Sequence, residues 1–516
     1  METCMEKPGH VLDRDAQWAA LVRFLERGGQ PLRIGLVSGR RRHGKSFLLR
    51  ALCDVAGGLY ITAVQEEGTR AAQHRFCAAI ARHAGLPESA VRLDDWEQIL
   101  ATALQVVARR AEAGGAPLLV IDEFPYLLTH SPQLPSLLQH LYDSSQADRA
   151  PGGRLILCGS AMSVMHELLS GTKPLRGRAV LDMRLGPFSH RQAAALWGID
   201  DPQLAFHLHA VLGGAPGYRQ LVQDDPPASV DGFGDWVVDN LFDIDLGLFT
   251  RNETEYLLRE DPRITNRVVY YEVLSAVAAG ATTPSKIGGL IGRERTALAH
   301  ILDVLLSSGY LRREDDLLRQ RKPTITVADP IIRFNQLITI PYTDLLERRE
   351  GQQVWQAAVP TFASQILGPH FEELARDWVR LYAADEAGIT VGAVGTTDIH
   401  DTEGRAKHEL DVVALTPGDK PRTPKARIAL LGEAKATVRR RGVEDLERLE
   451  RIRTVLDSQG HASADAALAL FSQHGFTPPL HEAAVRRDDV HLIDLAALYG
   501  RNDHQLGSHD ALRHGT

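Results

Sequence analysis

Two groups of residues in this chain have the types and spacing needed for chemistry on phosphate. The first is Gly39-Arg40-Arg41-Arg42-His43-Gly44-Lys45-Ser46. Its two glycines let successive backbone N–H groups curl around an anion, and a helix beginning at Lys45 points its positive end at the same place. Lys45 is expected to reach the β- and γ-phosphates and Ser46 to hold Mg²⁺ through its hydroxyl. Gly39, His43, Gly44 and Phe47 complete the expected contacts to ATP or GTP. Downstream, residues 117–123 (PLLVIDE) end an apolar run in two acids. Asp122 is expected to hold the Mg²⁺ and Glu123 to polarise the water that attacks the γ-phosphate. Ser160 follows another apolar run and either bonds the γ-phosphate or attacking water, or closes a turn. An acid beside the magnesium aspartate favours hydrolysis over transfer to a second substrate, and no residues suggest a kinase's substrate pocket.

The second group is Glu372, Asp411, Glu433 and Lys435. Carboxylates gathered in one place repel unless a divalent cation neutralises them, and Mg²⁺ would also polarise a scissile phosphate. Glu433 and Lys435 emerge on one face of a strand, because side chains alternate. The lysine is expected to position or deprotonate the nucleophile and to stabilise the phosphorane charge. Asp411 and Glu433 are the expected metal ligands, with Glu372 a further carboxylate and Glu373 its weaker rival. Glu-x-Lys triplets arise by chance roughly once or twice in a chain of this length, so the weight rests on the apolar strands feeding both acids.

The elements that must position these residues follow from periodicity. Strands are predicted over 33–38, 59–64, 117–123 and 154–158, separated by helices over 70–83, 96–113 and 135–143. That alternation predicts a parallel sheet covered on both faces. Residues 268–335 read as a winged helix-turn-helix. Helices are expected over 271–279, 283–291 (Thr283 as N-cap) and 293–308, with a wing from 310–311 and 325–327. Arg293, Arg295, Thr296 and His300 are expected to face outward, for DNA or as part of a packing module. In the tail, a helix is expected over 371–382, strands over 409–414 and 428–435, and a helix over 443–456 with Leu446, Leu449, Ile452 and Leu456 on one face.

The motifs VLDRD (residues 11–15), GRRRHGKS, LLVIDEFPYL, LILCGSAMSVM, PLRGR (174–178) and GGAPGY (213–218) occur in the order seen in the archaeal-type ATPases. That family is a branch of the AAA+/STAND P-loop nucleoside triphosphatases, and the chain resembles it over essentially its whole length. The resemblance implies that Arg14 lies near the adenine. It makes Arg178 the candidate arginine finger, acting across a subunit boundary or after domain closure, so a homo-oligomer is a candidate partner. It also implies that residues 213–218 form the nucleotide-sensing turn of a helical lid. The tail motifs GPHFEE, ELDVVAL, LLGEAK and LFSQHGF followed by VHLIDL resemble the family's restriction-endonuclease-like C-terminal domain, of the PD-(D/E)xK type. Leu410 stands where many members of that wider fold have proline.

The expected architecture is multidomain α/β: a P-loop AAA+-like ATPase core (1–190), a helical lid (191–262), a winged helix-turn-helix (263–345) and a PD-(D/E)xK-like domain (346–510). The expected function is ATP binding and hydrolysis, with ATP and Mg²⁺ as cofactors, DNA binding, and Mg²⁺-dependent DNA cleavage by the tail. The alternative is a STAND-like nucleotide switch or DNA-binding regulator with a non-cleaving tail. A net charge of −8 excludes a protein basic over its whole surface, but not local basic patches. Arg312, Arg313, Arg319, Arg321 and Lys322 form one such patch, and Arg439-Arg440-Arg441 another. No apolar run is long enough to span a bilayer, and residues 1–15 lack the pattern of a secretion signal. Cys4, Cys53, Cys77 and Cys158 show no CxxC pairing, and the last three are expected to be buried, so a cytoplasmic location is expected. The 21 histidines form no metal-ligand pattern, and His504, His509 and His514 are expected to be solvent-exposed.

Overall fold

Strands β1 (Leu32–Ser38), β3 (Leu118–Asp122) and β4 (Gly153–Gly159) are apolar and buried along nearly all their length, which suits only the middle of a sheet covered on both faces. In the computed structural model they form that middle. The flanking strands β2 (Leu59–Thr62) and β5 (Ala179–Arg184) alternate more, as edge strands do, and the order is β2-β3-β4-β1-β5, all parallel. Successive side chains feed two separate cores. Ile34, Leu36, Ile61, Leu119, Ile121, Leu155 and Leu157 meet the helices Thr69–His83, Trp96–Glu112 and Leu134–Gln146. Val37, Leu118, Val120, Ile156 and Cys158 meet Asp15–Glu26 and Lys45–Ala56. β2 stops two residues short of the predicted end because its partner β3 ends at Asp122, opposite Thr62. The edge strand β5 escaped prediction because its sequence alternates too briefly to mark a strand.

The structure describes residues 5–27, 31–112, 116–147, 152–223, 225–247, 253–259, 261, 263–264, 266–320, 323–401, 406–423 and 425–501. Cys4, Arg321, Lys322, His504, His509 and His514 lie outside them. Cys53, Cys77 and Cys158 are buried and free. Among the described residues, no helix is long and apolar enough to cross a membrane. The chain divides into two compact units. The first is Met1–Phe188 with Ala215–Tyr218 and Glu255–Thr265; the second is Ser189–Gly214, Arg219–Thr254 and Asn266–Thr516.

In the second unit, helices Arg267–Ala278, Pro284–Ile291 and Arg295–Ser307 precede an antiparallel hairpin of β6 (Leu311–Glu314) and β7 (Thr324–Val327). Thr283 caps the middle helix, its side chain accepting from the Lys286 amide. Arg293, Arg295, Thr296 and His300 are exposed, while Leu298, Leu302 and Leu305 are buried. The tail holds a mixed sheet of β8 (Val394–Asp401), β9 (Ala406–Leu415), β10 (Ile428–Lys435), β11 (Ala467–Ser472) and β12 (Val490–Asp494), ordered β12-β11-β10-β9-β8. β8, β9 and β10 pair antiparallel, and β10, β11 and β12 parallel. The crossover from β10 to β11 is the helix Val443–Ser458, whose Leu446, Leu449, Ile452 and Leu456 are buried against the sheet. Asp411 lies in the middle of β9 instead of near its start, because the strand begins at Ala406 and pairs back along β8.

An ion pair ties this unit together from within. Arg333 Nη2 donates to Glu373 Oε1 at 2.6 Å and to the Val327 carbonyl at 2.8 Å. Burial opposes the Glu373 charge, but Arg333, His370 and Arg312 outweigh it and hold the carboxyl well below its ordinary range. The folded-state pKa is the lower one, so this stabilisation is complete above the unfolded carboxylate pKa and is lost as pH falls below it. Arg333→Met strands a buried charge and is expected to cost roughly 3–5 kcal/mol near neutral pH. The penalty shrinks at about pH 4, where the variant's Glu373 is protonated. Urea unfolding of both proteins at the two pH values measures the difference.

Candidate functional site

The loop leaving β1 needs each of its glycines for a different reason. A Cβ on Gly39 would lie 2.4 Å from the Leu185 carbonyl oxygen, and Gly44 has a φ of +87°. His43 Nδ1 lies 3.1 Å from the same carbonyl oxygen, which fixes the loop against the chain that follows β5. Lys45 is 4% exposed and donates back to the Arg40 carbonyl at 3.1 Å, so its ammonium is held over the loop's own backbone. Phe47 is exposed on the helix that follows and meets His10 edge-on at 5.6 Å.

Asp122, at the tip of β3, gathers donors. Ser46 Oγ donates to Oδ2 at 2.7 Å, the Tyr60 hydroxyl donates to the same oxygen, and the Glu123 amide donates to Oδ1 at 3.0 Å. Burial disfavours the charge, yet hydrogen bonds from Tyr60, Ser46, Cys158 and the Glu123 amide prevail and hold the carboxyl below its usual range. Burial, followed by the Asp122 charge, pushes the Tyr60 phenol up, so it remains a donor. Glu123 takes a left-handed backbone at φ +52°, and its Oε2 accepts from the Ser160 amide at 3.2 Å and hydroxyl at 3.0 Å. The structure thus joins Ser46 to Asp122 and Glu123 to Ser160 at adjacent strand ends.

The other residues predicted around this loop fall into place differently. Arg14 donates to the carbonyls of Gly186 at 2.8 Å and His43 at 3.3 Å and lies 4.3 Å above the Phe188 ring. Burial lowers its pKa to about 10 against the pull of Asp13. Arg178 is held by Asp143 through two bonds of 2.9 Å and by the Pro174 carbonyl; none of its described bonds reaches the loop. The turn Ala215–Tyr218 meets the loop directly. Gly217 N donates to the Arg42 carbonyl at 3.0 Å, and the Arg42 guanidinium lies 5.2 Å from the Tyr218 ring centre. Tyr60 was not anticipated from the sequence. The available signal was an aromatic hydroxyl on the strand beside the acid-tipped one.

The second group converges on β9 and β10, inner strands of the tail sheet, and on the helix Gly368–Leu381. Lys435 Nζ lies 3.1 Å from Asp411 Oδ2 and 3.6 Å from Glu433 Oε1. Asp411 Oδ2 also accepts from the Ala434 amide at 3.0 Å. Glu433 Oε1 is 2.6 Å from Arg448 and 3.8 Å from Arg441, while its Oε2 is buried with no partner among the described residues. Burial and then the Asp411 charge raise the Glu372 pKa to about 7. Burial opposes the Lys435 charge, but Asp411 and Glu433 outweigh it and raise its pKa. Glu373, the rival of Glu372, points instead to Arg333. Carboxylates that crowd one another, with one buried oxygen unpartnered, fit a divalent cation. No group of three or more His, Cys, Asp or Glu forms a ready-made metal cage among the described residues. The basic patches are largely paired: Arg312 with Glu314, Arg313 with Asp315, Arg439 with Glu444 and Arg441 with Asp445. Arg448, the closest cation to Glu433, was not anticipated from the sequence.

Residues 11–198 match the family of ATPase domains found predominantly in Archaea. A protein of Methanocaldococcus jannaschii described as uncharacterized is 23% identical over 424 residues, which are 79% of this chain and 85% of that one. Among solved structures, a Walker-type ATPase of Pyrococcus abyssi aligns at 18% identity over 64% of this chain and 97% of its own, with a TM-score of 0.46. The ORC2 protein of Aeropyrum pernix, in its ADPNP and ADP complexes, aligns at 16% identity over 67% of this chain and 95% of its own, with a TM-score of 0.40. On the family match, the chain carries an archaeal-type ATPase domain over residues 11–198.

Proposed function

We propose that this chain is an ATP-driven DNA-processing enzyme, with nucleotide turnover at Lys45, Ser46, Asp122 and Glu123 and Mg²⁺-dependent strand cleavage at Glu372, Asp411, Glu433 and Lys435. The observation that carries the second activity is the lining of that acidic set by Lys435, Arg376, Arg441 and Arg448, beside a buried Glu433 oxygen that lacks a partner. A nuclease needs cations around its carboxylates to accept a phosphodiester; an acidic or blocked cleft would have pointed to the non-cleaving regulator instead.

In the ATPase, Gly39, His43, Gly44 and Phe47 supply the phosphate cradle and Lys45 its charge. Ser46 and Asp122 hold the Mg²⁺, which offsets the phosphate charge. Glu123 orients the attacking water, and its bonds to Ser160 keep its carboxylate aimed until substrate arrives. Tyr60 acts through Asp122, fixing the carboxylate orientation behind the metal. Arg14 braces the loop on the side where the adenine would lie. Arg178 serves as the arginine finger after its exchange of Asp143 for the γ-phosphate, in a second copy of the chain or on closure. In the tail, Asp411 and Glu433 would hold Mg²⁺, which would supply Lewis acidity toward a phosphodiester; Glu372 would add a carboxylate, and Lys435 places its ammonium where negative charge on the phosphate would develop. The three helices and hairpin of residues 267–327 act as a winged helix, offering Arg293, Arg295, Thr296 and His300 to duplex DNA.

Lys45→Ala is expected to abolish ATP turnover in a phosphate-release assay, and unchanged turnover would refute this assignment. Tyr60→Phe removes a hydrogen bond to a charged group worth roughly 1.5–3 kcal/mol. ATP turnover should then need about tenfold more Mg²⁺ for half-saturation, with the folded protein intact by circular dichroism. Asp411→Ala combined with Lys435→Ala should eliminate Mg²⁺-dependent cutting of plasmid, linear and single-stranded DNA while ATP turnover persists. Surviving cleavage would place the nuclease elsewhere.

A further inference from the structure

β10, β11 and β12 run parallel, so their carboxyl ends lie along one edge of the tail sheet. Ligands of α/β sheets collect at such edges. Lys435 ends β10 and stands opposite Ser472, the last residue of β11, which in turn stands opposite Asp494, the last of β12. The chain leaving these ends and residues 201–203 line an open cleft of about 530 Å³, within the usual volume range of small-molecule sites. The cleft continues the edge that carries Glu433 and Lys435. Gln473 N donates to the Lys435 carbonyl at 3.3 Å, bonding the loop after β11 to the end of β10, and Arg441 N donates to the Gly475 carbonyl at 3.1 Å, joining the loops that follow the two strands.

The lining has a definite chemistry. Its two acids are already committed: Asp201 accepts from the Leu204 amide and Asp494 from the Ala497 amide, each at 2.8 Å, capping the helix it precedes. Arg440 is exposed on the loop after β10, and Gln473 and His474 follow β11. His481 is exposed at the cleft and meets the buried Phe476 ring edge-on at 5.7 Å, so the core holds the imidazole in place. A guanidinium for a phosphate, an exposed imidazole for a base to stack on and an amide for the base's polar edge are the recognition elements of a single nucleotide with its base unpaired.

We infer that this cleft receives one unpaired nucleotide of the DNA strand, adjacent to the scissile phosphate. The inference rests on the nuclease reading above and extends it by naming the substrate class: single strands and overhangs over blunt duplex. A base still paired in a duplex would have to be unstacked before it entered the cleft, so blunt duplex is the poorer substrate.

The test uses the full chain, with binding of fluorescent single-stranded, overhanging and blunt oligonucleotides measured by anisotropy in Ca²⁺ and cleavage in Mg²⁺. The wild type should bind and cut single strands at least about tenfold better than blunt duplex. Arg440→Glu combined with His481→Ala, and separately Gln473→Ala, should erase that preference while the Mg²⁺-dependent cutting of blunt duplex and the circular dichroism of the full chain, which report an intact tail, stay unchanged. If the wild type cuts DNA and these variants retain the preference, the cleft assignment falls and the nuclease reading stands. If the wild type neither binds nor cuts any DNA, both fall together. Displacement of the oligonucleotide by equimolar thymidine monophosphate would also overturn the inference, because the cleft would then serve a free nucleotide.

Discussion

A carboxylate at the end of a buried strand must be satisfied by donors that the fold brings to it, and Asp122 is where that constraint is met most tightly. It is 2% exposed, and two hydroxyls and a backbone amide point at its two oxygens. Leaving such a charge unpaired would cost several kcal/mol, so the loop, β2 and β3 are mutually dependent. Ser46 donates from the first turn of the helix after the loop, which Gly39 lets pack against Leu185 and Gly44 lets turn with a positive φ. Tyr60 can donate only because β2 lies beside β3 in register. The sheet order is therefore part of the site and not merely its scaffold.

How much was legible in the sequence follows from how local each feature is. The loop, the acid-tipped β3 and the strand bearing Glu433 and Lys435 were readable because each is a single segment whose chemistry and periodicity coincide. The helix Val443–Ser458 was readable because its four buried residues recur at helical spacing. Tyr60 was not, since it meets Asp122 across 62 positions and only the strand order brings them together. Arg448 was hidden for a related reason. On its helix it is one charged residue among several, and only the crossover angle between helix and β10 selects it for Glu433.

Adjacent residues with opposite fates make the same point at finer scale. Glu372 and Glu373 lie on one helix, and neighbouring helical side chains diverge by about 100°. One therefore faces Asp411 and Lys435 while the other faces Arg333. The environments move their pKa values in opposite directions, the first up through burial and a like charge, the second down through a guanidinium. Sequence placed both acids on the helix, but the choice between them depends on where the helix rests against β9 and β10.

The tail cluster is hard to explain as a stabilising device. Four carboxylates, Glu372, Asp411, Glu433 and Asp445, face four cations, Lys435, Arg376, Arg441 and Arg448. Taking this many charges out of water commonly costs as much as their attraction returns, and apolar residues of similar volume would hold the sheet edge as well or better. An arrangement optimised for stability would also leave no buried carboxylate oxygen without a donor, as Glu433 does. The cluster sits at the carboxyl end of a parallel strand, where the sheet offers a crevice. With Glu372 held at a pKa of about 7, the set carries no net negative charge without ligand, and a divalent cation would favour ionised Glu372. On the nuclease reading proposed above, the charge that cation adds would meet a phosphodiester and a developing negative oxygen.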